Sequence, residues 1–64
     1  LQIRDRLLPR DEVVQIVGAS VPTIYRWMAA GLFPRPIPVG PRAVRWMESE
    51  VYEWIENRKL SRAA

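Results

Sequence analysis

A chain of 64 residues with no cysteine and no histidine makes one small domain held by packing, since disulfides and the usual zinc ligand sets are closed to it. At 48% hydrophobic and 27% charged it is a globular composition rather than a disordered tail, and no apolar run reaches the roughly 18–20 residues of a membrane span. The net charge of +3 is unevenly spread: residues 18–46 hold Arg26, Arg35, Arg42 and Arg45 and no acid.

Leu1 to Arg10 alternates apolar and charged residues without the apolar core of a signal peptide, so a cytoplasmic, nucleoid-associated protein is expected. A first helix is expected from Pro9 or Arg10 to Val17. Proline suits the first turn, Asp11 and Glu12 complement the positive end of the helix dipole, and Val13, Ile16 and Val17 share one face. Gly18 ends this helix by adopting a left-handed conformation. Ser20 is the natural N-cap of a second helix, its hydroxyl accepting from the N–H of Thr23, with Pro22 tolerated in the first turn. Ile24, Trp27 and Met28 form the apolar stripe, and Gly31 stops the helix. Two helices separated only by Gly18-Ala19-Ser20 must cross steeply, as in a helix-turn-helix.

Pro34, Pro36, Pro38 and Pro41 exclude helix from the next stretch. Ile37–Val39 and Ala43–Trp46 read as a small hairpin around Gly40-Pro41-Arg42, on edge strands because of the prolines. The last helix starts near Glu48, with Met47, Val51, Trp54, Ile55 and Arg58 marking its inner face and residues 61–64 fraying. The expected architecture is mainly α with a small β-hairpin. It is a single winged helix-turn-helix domain spanning 1–64: helix-turn-helix over about 10–30, hairpin wing over about 36–46, last helix over about 48–59.

Catalysis has little to stand on. Without His or Cys the common nucleophile–base pairs are absent, Ser20, Ser49 and Ser61 read as cap, helix surface and tail, and the glutamates of the last helix read as a solvated face. No enzyme, cofactor or metal site is expected. A segment carrying only positive charge suits a polyphosphate partner, the plainer alternative being solvated arginines. In a helix-turn-helix the second helix presents its N-terminal residues to base edges. Ser20, Val21, Pro22, Tyr25 and Arg26 are therefore expected to face double-stranded DNA, with Ile24 and Trp27 facing the core. Arg26 suits guanine O6 and N7 or a phosphate; its alternative is a surface ion pair. Tyr25 suits a phosphate or sugar, or else packs against the hairpin. Arg42 at the hairpin tip, with Arg35 and Arg45 on its arms, suits the backbone or minor groove, although the Arg45 stem could instead shield the core beside Trp46. Trp27, Trp46 and Trp54 read as core rather than as stacking platforms.

The strings G-A-S-V-P-T-I-Y-R-W-M-A-A-G-L-F-P-R-P (Gly18 to Pro36) and R-W-M-E-S-E-V-Y-E-W-I (Arg45 to Ile55) resemble the AlpA family of prophage regulators. They also resemble the wider group of excisionase-like helix-turn-helix proteins with a MerR-like winged fold. The resemblance runs from Leu8 to Ile55, about three quarters of the chain. It is carried most specifically by S-x-x-T-I-Y-R-W, by G-x-F-P-x-P, and by the approach to the last helix, here Arg45-Trp46-Met47-Glu48 and one residue tighter than the family's R-x-W-x-E. It implies a DNA-binding protein that regulates transcription or directs excision by bending DNA at an attachment site. It carries Ser20, Thr23, Tyr25 and Arg26 over as recognition-helix residues and Arg42 as a wing residue. Val21-Pro22 stands where relatives often have a polar or basic residue, which moves the expected specificity toward Tyr25, Arg26 and Arg42. A single copy does not easily span two half-sites, leaving room for cooperative self-association on DNA. The alternative function is an adaptor that docks on an integrase or RNA polymerase through the acidic last helix.

Overall fold

The computed structural model describes residues 5–63; residues 1–4, where the alternating N-terminal stretch begins, and Ala64, the end of the expected tail, lie outside the described residues. The elements are β1 (Leu7–Leu8), α1 (Arg10–Val17), α2 (Val21–Ala29), β2 (Ile37–Gly40), β3 (Ala43–Met47) and α3 (Glu48–Ala63). The strands form an antiparallel sheet of order β1-β3-β2, so the fold is a winged helix-turn-helix whose wing is the β2–β3 hairpin.

Local chemistry explains most of these boundaries. Pro9 lies outside α1 in extended conformation, and its carbonyl accepts from the N–H groups of Glu12 and Val13, both at 3.1 Å. Gly18 closes the helix at φ 78°, its N–H donating to the Val14 carbonyl at 2.7 Å. At the end of α2, Gly31 takes φ 74°; its N–H donates to Met28 (3.0 Å) and that of Leu32 to Trp27 (2.8 Å). This paired closure satisfies two terminal carbonyls and needs the left-handed residue that glycine supplies without steric penalty. The Ser20 cap differs from expectation. Its hydroxyl makes no bond to the helix N–H groups; Ser20 Oγ and Thr23 Oγ1 instead lie 2.9 Å apart. Thr23 brings a second hydroxyl to the same corner at i,i+3 spacing, and the O–H···O bond replaces the O···H–N bond.

The hairpin is one residue longer on each strand than expected. Pro38 lies on β2, an edge strand, where its missing N–H breaks no central ladder. Arg42 at the tip is left-handed at φ 62°, following Pro41. Two expectations for the last helix are corrected. Met47 ends β3, paired with Leu7, rather than starting the inner face of α3. Residues 61–63, expected to fray, continue α3. No glycine or proline interrupts this stretch, Lys59 pairs with Glu56 at 3.0 Å, and Arg62 complements the helix C-terminus.

β1 is too short to be read from local pattern, and this strand organises the core. Leu8, Val13, Ile24, Phe33, Trp46 and Val51 are all buried, one each from β1, α1, α2, the link after α2, β3 and α3. Only β2 among the elements adds nothing to that cluster, which leaves the outer strand of the wing exposed along its length. Trp46 is fully buried and its indole N–H donates to the Pro34 carbonyl at 3.0 Å. Trp27 and Trp54 are half-buried against the core, their ring centroids 5.5 Å apart, and Phe33 stands edge-on to Trp54 at 4.9 Å. This trio ties the end of α2, the link and α3 together; the Trp54 N–H donates to the Leu32 carbonyl at 2.7 Å. Arg58, expected on the inner face, is exposed, its guanidinium carbon 5.8 Å from the centroid of the Trp54 ring.

Just before β1, the chain caps α3 from a distance. Asp5 accepts from the Ser49 N–H at 3.0 Å and from the Ser49 hydroxyl at 2.6 Å. These bonds hold the Asp5 carboxyl below its ordinary value of 3.8. Arg6 pairs with Glu48 at 3.2 Å and with Glu12 at 3.5 Å, which raises its already high value further, and its carbonyl accepts from the Glu48 N–H at 2.9 Å. Ser49, expected as plain helix surface, is thus part of a cap.

Candidate nucleic-acid interface

The helix-turn-helix presents α2 with one stripe inward and one outward. Ile24 is buried and Trp27 and Met28 are half-buried, whereas Pro22, Tyr25, Arg26 and Ala29 are exposed at i, i+3, i+4, i+7 spacing. That spacing is a single helical face, and its small residue, Ala29, leaves room for close approach along the axis. Ser20 is exposed at the start of the face; Val21 and Thr23 are half-buried at its margin.

A chain of hydrogen bonds runs along this margin. Ser20 Oγ meets Thr23 Oγ1, and Arg26 Nη2 donates to Thr23 Oγ1 at 3.2 Å. Among the described residues the ion pairs are Arg6–Glu12, Arg6–Glu48 and Lys59–Glu56, so Arg26 has no carboxylate partner. The surface ion pair weighed for Arg26 is therefore absent, and its charge is held on the outward face by a neutral hydroxyl. Tyr25 takes an intermediate position. It is 37% exposed and its ring meets Trp46 edge-on, with centroids 6.4 Å apart and planes at 77°. Its ring leans on the hairpin as well as facing solvent.

The wing carries the remaining cations. Arg42 is exposed at the tip and Arg35 is exposed on the link leading into β2. Arg45 is half-buried on β3, and its Nη1 donates to the Val44 carbonyl at 2.8 Å. Arg42 and Arg45 line a cleft of about 320 Å³ together with Ala43, Val44, Arg10 and Asp11. Arg10 is a residue that sequence reasoning passed over, because its proximity to the wing depends on β1 pairing with β3.

The structure thus brings Ser20, Thr23 and Arg26 into one hydrogen-bonded set and Arg42 and Arg45 into one cleft. Arg35 joins neither group. No helix among the described residues is long and apolar enough to cross a membrane, and no cluster of potential metal ligands is present among them.

The chain matches the family described as Prophage CP4-57 regulatory protein (AlpA) over residues 6–60. It belongs to the AlpA family. The matched span begins at Arg6, which ties β1 to α3, and takes in all three strands, α1, α2 and most of α3. A member from Escherichia coli (strain K12), DNA-binding transcriptional activator AlpA, is 32% identical over 59 residues, covering 83% of this chain and 84% of that protein. Protein ORF88 of Enterobacteria phage P4 is 36% identical over 59 residues, covering 92% of this chain and 67% of that protein.

Proposed function

We propose that this AlpA-family chain is a double-stranded DNA-binding transcriptional regulator that places α2 in the major groove and the wing along the backbone. The observation that carries the reading is the outward face of α2, where Arg26 has no carboxylate partner among the described residues and its guanidinium is bonded to Thr23. An arginine free of acids on a helix flanked by an acid-free wing keeps its whole charge and its donor fork for an anionic groove. Tyr25 extends the contact surface, and Ser20, Val21 and Pro22 bring the helix start close to the sugar-phosphate edge. The Escherichia coli relative is a DNA-binding transcriptional activator, which favours transcription over excision as the output.

The test is a mobility-shift titration on DNA flanking the chain's own gene. With roughly four phosphate contacts, log affinity should fall against log salt with a slope of about −3 to −4. Arg26→Ala should weaken binding about 10-fold or more, as expected for a bidentate base contact, while leaving the melting temperature in place. Binding that ignores salt, or survives Arg26→Ala undiminished, would overturn the assignment. The adaptor alternative rests on the acids of α3, of which Glu48 is engaged by Arg6; it would show as loss of partner capture by Glu50→Lys and Glu53→Lys with DNA affinity retained.

A further inference from the structure

We infer that Arg10, Arg42 and Arg45 form a composite site for one backbone phosphate of DNA, in the cleft between the start of α1 and the wing. The inference rests on the proposed DNA binding and adds to it a residue outside the helix-turn-helix face, along with an atom class for the wing to grip. Its basis is topological. β1 ends at Leu8, opposite Trp46, and the chain turns at Pro9 straight into α1. This sets the first turn of α1 beside the β3 residues that follow the wing tip, and Arg10, Arg42 and Arg45 line the same cleft.

Three arginines line one opening, which gives it the positive potential that an anion would meet. Asp11 lines the cleft too, yet among the described residues it forms no ion pair with any of the three. Charge therefore remains in surplus: three cations against one acid. Arg45 is oriented by its bond to the Val44 carbonyl at 2.8 Å, and Arg42 stands exposed at the left-handed tip. The cleft volume of about 320 Å³ admits a phosphodiester group. A phosphate gripped here ties the wing and α1 to one point of the backbone and so fixes the angle at which α2 enters the groove.

The test uses the whole chain and a mixed-sequence duplex of about 30 base pairs, titrated between about 50 and 200 mM salt. Arg10→Ala is expected to reduce affinity several-fold and to make the salt slope shallower by up to about 0.9, while Arg10→Lys keeps both near the parent values. Asp11→Asn is expected to raise affinity, since it removes the one acid facing the phosphate. Because Arg10 and Arg42 serve the same phosphate, the loss in Arg10→Ala/Arg42→Ala should be smaller than the product of the two single losses. Thermal melting of each variant separates folding from binding. Parent protein that fails to bind the duplex would sink the DNA-binding reading itself. Parent binding with the full slope, together with unchanged Arg10→Ala or with losses that multiply independently, would overturn the shared phosphate site alone.

Discussion

Arg42 offers a single substitution whose effects on stability and on binding should have opposite signs. At φ 62° it occupies a left-handed backbone that costs a residue with a Cβ about 1–2 kcal/mol. Glycine removes that penalty but gains conformational freedom in the unfolded chain, which offsets about 0.4–1 kcal/mol. The net expectation for Arg42→Gly is a gain of about 0.5 kcal/mol, or roughly 2–4 °C in melting temperature for a domain of this size. The side chain is exposed, forms no ion pair among the described residues and is absent from the buried core, so its removal takes little packing away. On DNA the same change deletes a wing cation and should weaken binding by about 3- to 10-fold with a shallower salt slope. Arg42→Lys serves as the control, keeping the charge and the backbone penalty together. Thermal melting by far-UV circular dichroism and salt-dependent mobility shifts read the two effects separately. A variant that is destabilised by more than about 1 kcal/mol while binding DNA normally would refute both halves of the reasoning.

Two further outcomes concern the N-terminal segment. Leu8 is fully buried and its neighbour Leu7 is 47% exposed, so Leu8→Ala should cost about 3 kcal/mol and Leu7→Ala no more than about 1 kcal/mol; equal losses in chemical denaturation would refute the strand register. Asp5→Asn should lower stability at neutral pH by weakening the cap on Ser49. Because the folded carboxyl titrates below its ordinary value of 3.8, its contribution is present above that pH and is lost as pH falls through the folded value. Parent and variant denaturation midpoints should therefore converge below about pH 3.8 and stay apart at pH 7; separation that persists unchanged into acid would count against the cap.

The helices and the wing were legible because each is punctuated locally. Gly18 and Gly31 stop helices through their own backbone freedom, and the prolines from Pro34 to Pro41 exclude a helix within their own neighbourhood. What sequence reasoning missed is defined by distant partners. Leu7–Leu8 is too short to show a period, and its strand character comes from pairing with Trp46 and Met47. The cap on α3 comes from Asp5, 44 residues before Ser49, so no window along the chain contains both ends of that bond. The same distance explains Arg10, whose local surroundings read only as a helix start. At Ser20 the error was smaller. The cap residue was right, but its hydroxyl had a competitor in Thr23 that a rule about N–H partners does not weigh. The exposed stripe of α2 followed from its 3.6-residue period, whereas the bond from Arg26 to Thr23 depends on side-chain rotamers that no periodicity encodes.

The N-terminal clasp also has a kinetic consequence. Asp5 and Arg6 reach their partners across 44 and 42 residues, so the sheet and the start of α3 are joined only after the chain has been made through Ser49. During synthesis, α1 and α2 emerge before β3 is available to cover them, and Leu8 has no Trp46 to meet. Closure of so long a loop places this chain among slower folders than its helical content suggests. Completion of the fold therefore waits until β3 and the start of α3 have been made, when the strand that follows the wing pairs with Leu7 and Leu8.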